Sequence, residues 1–205
     1  MKRVAVLVLL ALLAVGCGEA QLPRRASDYG AAASTPQCPA KALPGWKKLA
    51  RRIDAPVYCP RWLPDPLDGV IGSRWSNIDA VSHDRSYLES WVWQETGLGA
   101  AGGELHVNLR GYPGRTRIPK CVDADTAKRN LIPCFADPHG TVSANGIKAT
   151  VYTVNQDADQ WHILYAWRHR GSLYTVSEHV APPLNYAKVR VYLNRILRGL
   201  VLVRA

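Results

Sequence analysis

The chain has 205 residues, of which 47% are hydrophobic and 20% charged, and its formal net charge is +10 at pH 7. These values exclude wholesale disorder and leave room for one globular domain, or two small ones at most.

In chain order, the first segment reads as a targeting signal. Lys2 and Arg3 precede an unbroken apolar run from Val4 to Val15, followed by Gly16 and Cys17. A helix over 4–17 would be about 21 Å long at roughly 1.5 Å per residue. That falls short of the hydrocarbon core of a bilayer, about 30 Å, so a signal peptide over residues 1–16 is expected rather than a membrane span. The sequence Leu13-Ala14-Val15-Gly16-Cys17 resembles the lipobox of bacterial lipoproteins. Gly16 and Cys17 match it, whereas Ala14 stands where that motif usually has Leu. The resemblance implies lipidation of Cys17, which becomes the mature N-terminus, and membrane anchoring through at least two acyl chains. Two chains give stable attachment where one is marginal. Residues 17–37 are rich in Ala, Ser, Gly and Pro without hydrophobic period. They read as a flexible tether spanning about 25 Å.

Residues 38–205 read as a single α+β domain. Lys41 to Ile53 places Trp46, Leu49 and Ile53 at helical spacing, and Pro56 ends that helix. Val57 and Tyr58 fit a short edge strand in a proline-rich stretch. Arg85 to Glu95 sets Tyr87, Trp91 and Trp93 on one face of a strand. Gly97 to Gly103 turns the chain without opening a helix, so it does not read as a phosphate cradle. Glu104 to Arg110 alternates cleanly and completes a hairpin. Gly111 to Gly140 reads as a long loop with one helical turn over 123–131. Asn145-Gly146, residues 156–160 and Arg170-Gly171 then mark turns between strands over 141–144, 147–154, 161–168 and 172–180. Beyond Pro182-Pro183, a closing helix aligns Tyr186, Val189, Leu193, Ile196, Leu197 and Leu200 in one stripe, with Gly199 near its end. The expected architecture is an antiparallel sheet packed by this C-terminal amphipathic helix and the short N-terminal one.

Four cysteines remain besides Cys17: Cys38, Cys59, Cys121 and Cys134. An even number in an exported chain implies disulfides. Of the three pairings, Cys38–Cys59 with Cys121–Cys134 closes the shortest loops. Neither a C-x-x-C nor a zinc-type Cys–His spacing occurs, so no metal and no cofactor is expected.

The sequence lacks a G-x-S-x-G elbow, an H-E-x-x-H pair and a P-loop, which removes the specific reasons to propose an enzyme. Among the six histidines, His106 and His162 lie on strands that pairing could bring together, as metal ligands or as an acid–base pair with Asp84 or Glu104. The expectation is solvated strand histidines. Trp91, Trp93, Trp161 and Trp167 could line a ligand pocket, although a chain with one Phe and one Met also needs bulky residues for its core. Basic residues gather on the first helix (Lys41, Lys47, Lys48, Arg51, Arg52), around the long loop (Arg110, Arg115, Arg117, Lys120) and at Arg168 and Arg170. Near a membrane each basic residue is worth about 1 kcal/mol toward anionic headgroups. Anionic lipid and anionic wall polymer are thus the expected partners, and nucleic acid is not.

The later half also resembles the extracytoplasmic sheet domains of Gram-positive anti-sigma factors and related lipoprotein-carrier-like sheets. The features that carry this are Pro56-Val57-Tyr58 with Leu63-Pro64, Asn145-Gly146 before a strand, the hairpin around Trp167 and Tyr174, and the final amphipathic helix. The resemblance implies a sheet that binds apolar ligands or partner proteins and assigns no catalytic residue. The expected role is therefore a lipid-anchored envelope protein that binds lipid, glycan or a partner protein. The alternatives are an envelope hydrolase using a His with a carboxylate, and a structural or assembly lipoprotein.

Overall fold

The computed structural model describes residues 37–67, 76–94, 104–123, 130–154 and 161–205. All belong to one of the chain's two compact units, Thr35–Ala205. The signal, Cys17, the tether up to residue 36, and the turns expected at 97–103 and 156–160 lie outside the described residues, as does the side chain of Glu104.

Helix α1 (Leu43–Ile53) starts with Pro44 in its first turn and buries Trp46, Leu49, Ala50 and Ile53. Its proline has no N–H to leave unsatisfied there. The helix ends at Asp54, whose left-handed backbone (φ 50°) lets its N–H return to Arg51. Strand β1 (Val57–Pro60) follows and is buried throughout. It pairs antiparallel with a C-terminal strand, β11 (Leu200–Val203), with Cys59 opposite Val201. That strand corrects the expectation that the closing helix runs on through Leu200.

The remaining long strands are β2 (Ser76–Val81), β3 (Tyr87–Gln94), β4 (Glu104–Tyr112), β7 (Thr141–Ala144), β8 (Ile147–Val154), β9 (His162–His169) and β10 (Ser172–His179). They form one antiparallel sheet in the order β2-β3-β4-β10-β9-β8-β7. The β7–β8 and β9–β10 hairpins turn at Asn145-Gly146 and Arg170-Gly171, all four residues at positive φ. Such turns match the twist of the flanking strands. Within 111–140 the chain forms a small separate hairpin, β5 (Lys120–Val122) against β6 (Leu131–Pro133). Leu131, the expected end of a helical turn, is thus extended, and 124–129 lie outside the described residues.

Helix α2 (Tyr186–Gly199) is capped by the Asn185 side chain, which accepts from the Lys188 N–H at 2.9 Å. Its stripe of Val189, Leu193, Ile196 and Leu197 is buried. Tyr186 departs from the expected stripe and is 45% exposed. The principal core joins these α2 residues to Trp46 and Ile53 of α1 and to one face of the sheet, including Trp91, Val107, Ile163, Tyr165, Trp167 and Val176. Trp46 lies 6.2 Å from Trp91 between ring centroids. The ring of Tyr87 crosses Gly111 so closely that a Cβ there would overlap it, so only glycine fits that position of β4. A smaller core, Phe135 with Val154, Leu164, Ala166 and Leu173, occupies part of the sheet's other face.

Candidate functional site

Side chains alternate across a sheet, so His106, Asn108 and Arg110 of β4 share the face opposite the main core. On β10 that face carries Ser177 and His179, and on β9 it carries His162. The β9–β10 ladder sets His162 opposite His179. The β4–β10 ladder, with Glu178 opposite Val107, brings His179 alongside His106. Three imidazoles from three neighbouring strands therefore converge, and one nitrogen of each lies within 4.8 Å of the other two. The rings of His162 and His179 are stacked at 5.2 Å, and His106 stands edge-on to both, at 4.9 Å and 6.3 Å. His162 Nδ1 is 2.9 Å from Ser177 Oγ. His106 Nε2 lies 2.9 Å from Ser90 Oγ and 3.0 Å from Asn108 Oδ1. The expectation of solvated histidines fails: His162 is 1% exposed, and His106 and His179 are half-buried.

The expected carboxylate partner sits elsewhere. Asp84 lies in the turn before β3, toward the Arg110 end of β4, since Tyr87 faces Gly111 and Val92 faces His106. Its carboxylate accepts from the hydroxyl and N–H of Ser86, at 2.6 Å and 3.0 Å, and pairs with Arg115 at 2.8 Å. The Ser86 hydrogen bonds, and then the Arg115 charge, hold it below its ordinary pKa. It is an anion of the loop region rather than a proton carrier for the histidines.

Around Asp84 a cleft of about 280 Å³ is lined by Arg110, Tyr112, Arg115, Lys120 and Phe135 together with the Cys121–Cys134 hairpin. Arg168 fixes the neighbouring loop by donating from Nε to the Thr116 carbonyl at 2.8 Å. Three of the basic residues singled out around the long loop thus share one concave surface. Arg117 is exposed, as are the five lysines and arginines of the α1 segment.

The tryptophans do not form one pocket. Trp91 and Trp167 are core, at 0% and 2% exposure, and Trp93 packs half-buried beside them. Of these four, Trp161 is the exposed one, at 62%. It borders an apolar pocket of about 300 Å³ with Thr153, Val154, Val180, Tyr186 and His162. This pocket reaches the histidine cluster through His162.

Both sequential disulfides are formed, Cys38–Cys59 and Cys121–Cys134, with Cα separations of 5.8 Å and 4.9 Å. They point to an oxidising, extracytoplasmic environment. Among the described residues no helix is long and apolar enough to cross a membrane. Sequence reasoning missed His179 as the third member of the cluster. The register of the 172–179 strand against its neighbours was the signal for it, because a hairpin turning at Arg170-Gly171 sets 179 across from 162. Comparison with known proteins gives no match: no family model, curated protein or solved structure is significantly similar to the chain.

Proposed function

We propose that this chain is an exported envelope protein, anchored through lipid on Cys17, whose sheet domain binds an anionic envelope component and performs no catalysis on it. The observation that carries the reading is the cleft at which Arg110, Arg115 and Lys120 converge beneath a disulfide-clamped hairpin. Among the described residues lining the cleft Asp84 is the one anion, so the local balance there favours a phosphate- or carboxylate-bearing ligand. The excess of Lys and Arg over Asp and Glu, which persists without the signal, adds a long-range attraction to anionic surfaces. Lipid headgroups and wall polymers share this chemistry. The lipobox resemblance and the two disulfides support the location. The likeness to carrier-type sheets supports a binding role.

The test is co-sedimentation of the protein with vesicles of anionic phospholipid, and separately with a soluble polyphosphate polymer, at low and moderate salt. Lys120 is exposed, so Lys120→Glu leaves the packing in place while reversing one charge of the cleft. With Arg115→Gln added, binding to at least one probe should weaken about tenfold, and wild-type binding should weaken as salt screens it. Undiminished binding by the double variant overturns the assignment of the cleft.

A further inference from the structure

We propose that His106, His162 and His179 form a binding site for a divalent transition-metal ion of zinc-like ligand preference. The inference is independent of the anionic cleft. It rests on three features of the sheet. First, one ring nitrogen from each of the three histidines lies within 4.8 Å of the other two, although they come from three strands and from sequence positions far apart. A tetrahedral ion with metal–nitrogen bonds of about 2.0–2.1 Å needs nitrogens about 3.3 Å apart. Closing the difference asks for small movements of the rings together with their hydrogen-bond partners.

Second, two of the three rings, His106 and His162, are supported from behind in the way metal-binding imidazoles are. A ligating histidine characteristically donates its other ring N–H to a fixed acceptor, which sets its tautomer. His106 Nε2 meets Asn108 Oδ1 at 3.0 Å. A neutral ring donating there carries its lone pair on Nδ1. His162 Nδ1 meets Ser177 Oγ at 2.9 Å, and a ring donating there carries its lone pair on Nε2. Asn108 and Ser177 are themselves buried, each 1% exposed, so these acceptors are held by the packing of β4 and β10.

Third, the donor set and its access fit one class of ion. Three neutral nitrogens suit zinc, copper(II) and nickel, whereas calcium and magnesium need oxygen donors. Three protein ligands leave a coordination position for water or a ligand group. The Trp161–Tyr186 pocket has His162 in its wall and so lies against the cluster. Apolar walls beside a metal exclude bulk water and strengthen its interaction with any ligand it holds.

The test uses the full chain purified in mild detergent, stripped with EDTA and dialysed. It is titrated with Zn2+ by calorimetry, with Co2+ by visible absorption, and with Mg2+ and Ca2+ as controls. Wild type should bind one Zn2+ or Co2+ per chain, give the intense visible bands of low-coordinate cobalt, and ignore Mg2+ and Ca2+. His179→Gln should weaken Zn2+ binding at least a hundredfold. Ser177→Ala, which leaves all three ligands, should weaken it about tenfold. His83→Gln, on an exposed turn, should leave it unchanged. Far-UV circular dichroism and a thermal scan establish that each variant is folded. Should His179→Gln not fold, Ser177→Ala and the wild-type cobalt spectrum decide alone. The assignment is overturned if wild type binds no Zn2+, if it binds Ca2+ equally well, if its cobalt complex has the weak bands of six-coordinate oxygen ligation, or if folded His179→Gln or Ser177→Ala binds as wild type does.

Discussion

Glu178 is the least expected residue of the core. It faces the helix side of β10, between Val107 of β4 and Ile163 of β9, and is fully buried. Among the described residues neither carboxyl oxygen has a hydrogen-bond partner. Burial alone pushes its pKa from 4.5 up to about 9, so at neutral pH it packs as a protonated acid. The folded state therefore holds a proton that the unfolded chain has released. The stability associated with Glu178 is complete below about pH 4.5 and is lost as the pH rises toward about 9. The slope is at most about 1.4 kcal/mol per pH unit. Glu178→Gln keeps the shape and removes the proton linkage. Its stability relative to wild type should rise steadily with pH across that window, as read by urea midpoints. A constant difference between the two proteins would mean that Glu178 is ionised in the folded state.

At the scale of elements, α2 makes the sharpest prediction. Leu193 is fully buried at the centre of its stripe, so Leu193→Ala should cost about 2–5 kcal/mol. From the sequence, Arg195 on the opposite side reads as a neutral surface position. The structure instead sets its guanidinium 3.9 Å from the centre of the Trp62 ring. Arg195→Ala should then cost about 0.5–1 kcal/mol, and Arg198→Ala, an exposed neighbour, less than about 0.5 kcal/mol. Denaturant titration of the three variants checks the order. The same helix marks what the sequence could and could not convey. Its start was legible from Pro182-Pro183 and the apolar period, and β4 from strict alternation. Its end was not, because Leu200-Val201-Leu202-Val203 is apolar at every position and fits a helix stripe or a buried strand equally well. Only the partner, β1, decides between them. β2 went unread because Ser-Asn-Ile-Asp-Ala-Val carries little apolar signal and is held by its neighbour's ladder. The histidine site was half legible for a similar reason. Alternation placed His106 and His162 on strands, but which strands lie side by side is a long-range property.

For the whole molecule, location and anchoring can be separated. The disulfides bear on compartment, and the proposed lipid on Cys17 would bear on attachment. Cys17→Ser should abolish lipid labelling and move the protein from the membrane pellet to the soluble fraction, with both disulfides still formed on non-reducing peptide maps. A variant that stays with the membrane as tightly as wild type would refute lipid anchoring.

The Cys38–Cys59 bridge also has a mechanical meaning. Cys38 lies at the N-terminal edge of the described domain, and Cys59 lies inside β1, opposite Val201 of β11. Tension applied to the chain ahead of Cys38 passes through the covalent bridge directly into the β1–β11 ribbon. The helix between the two cysteines is left slack inside a closed loop. Unravelling α1 under load would lengthen nothing, because its ends are fixed to each other. The first structure to bear a pull on this domain is therefore its terminal β-ribbon, where hydrogen bonds between the two strands share the force.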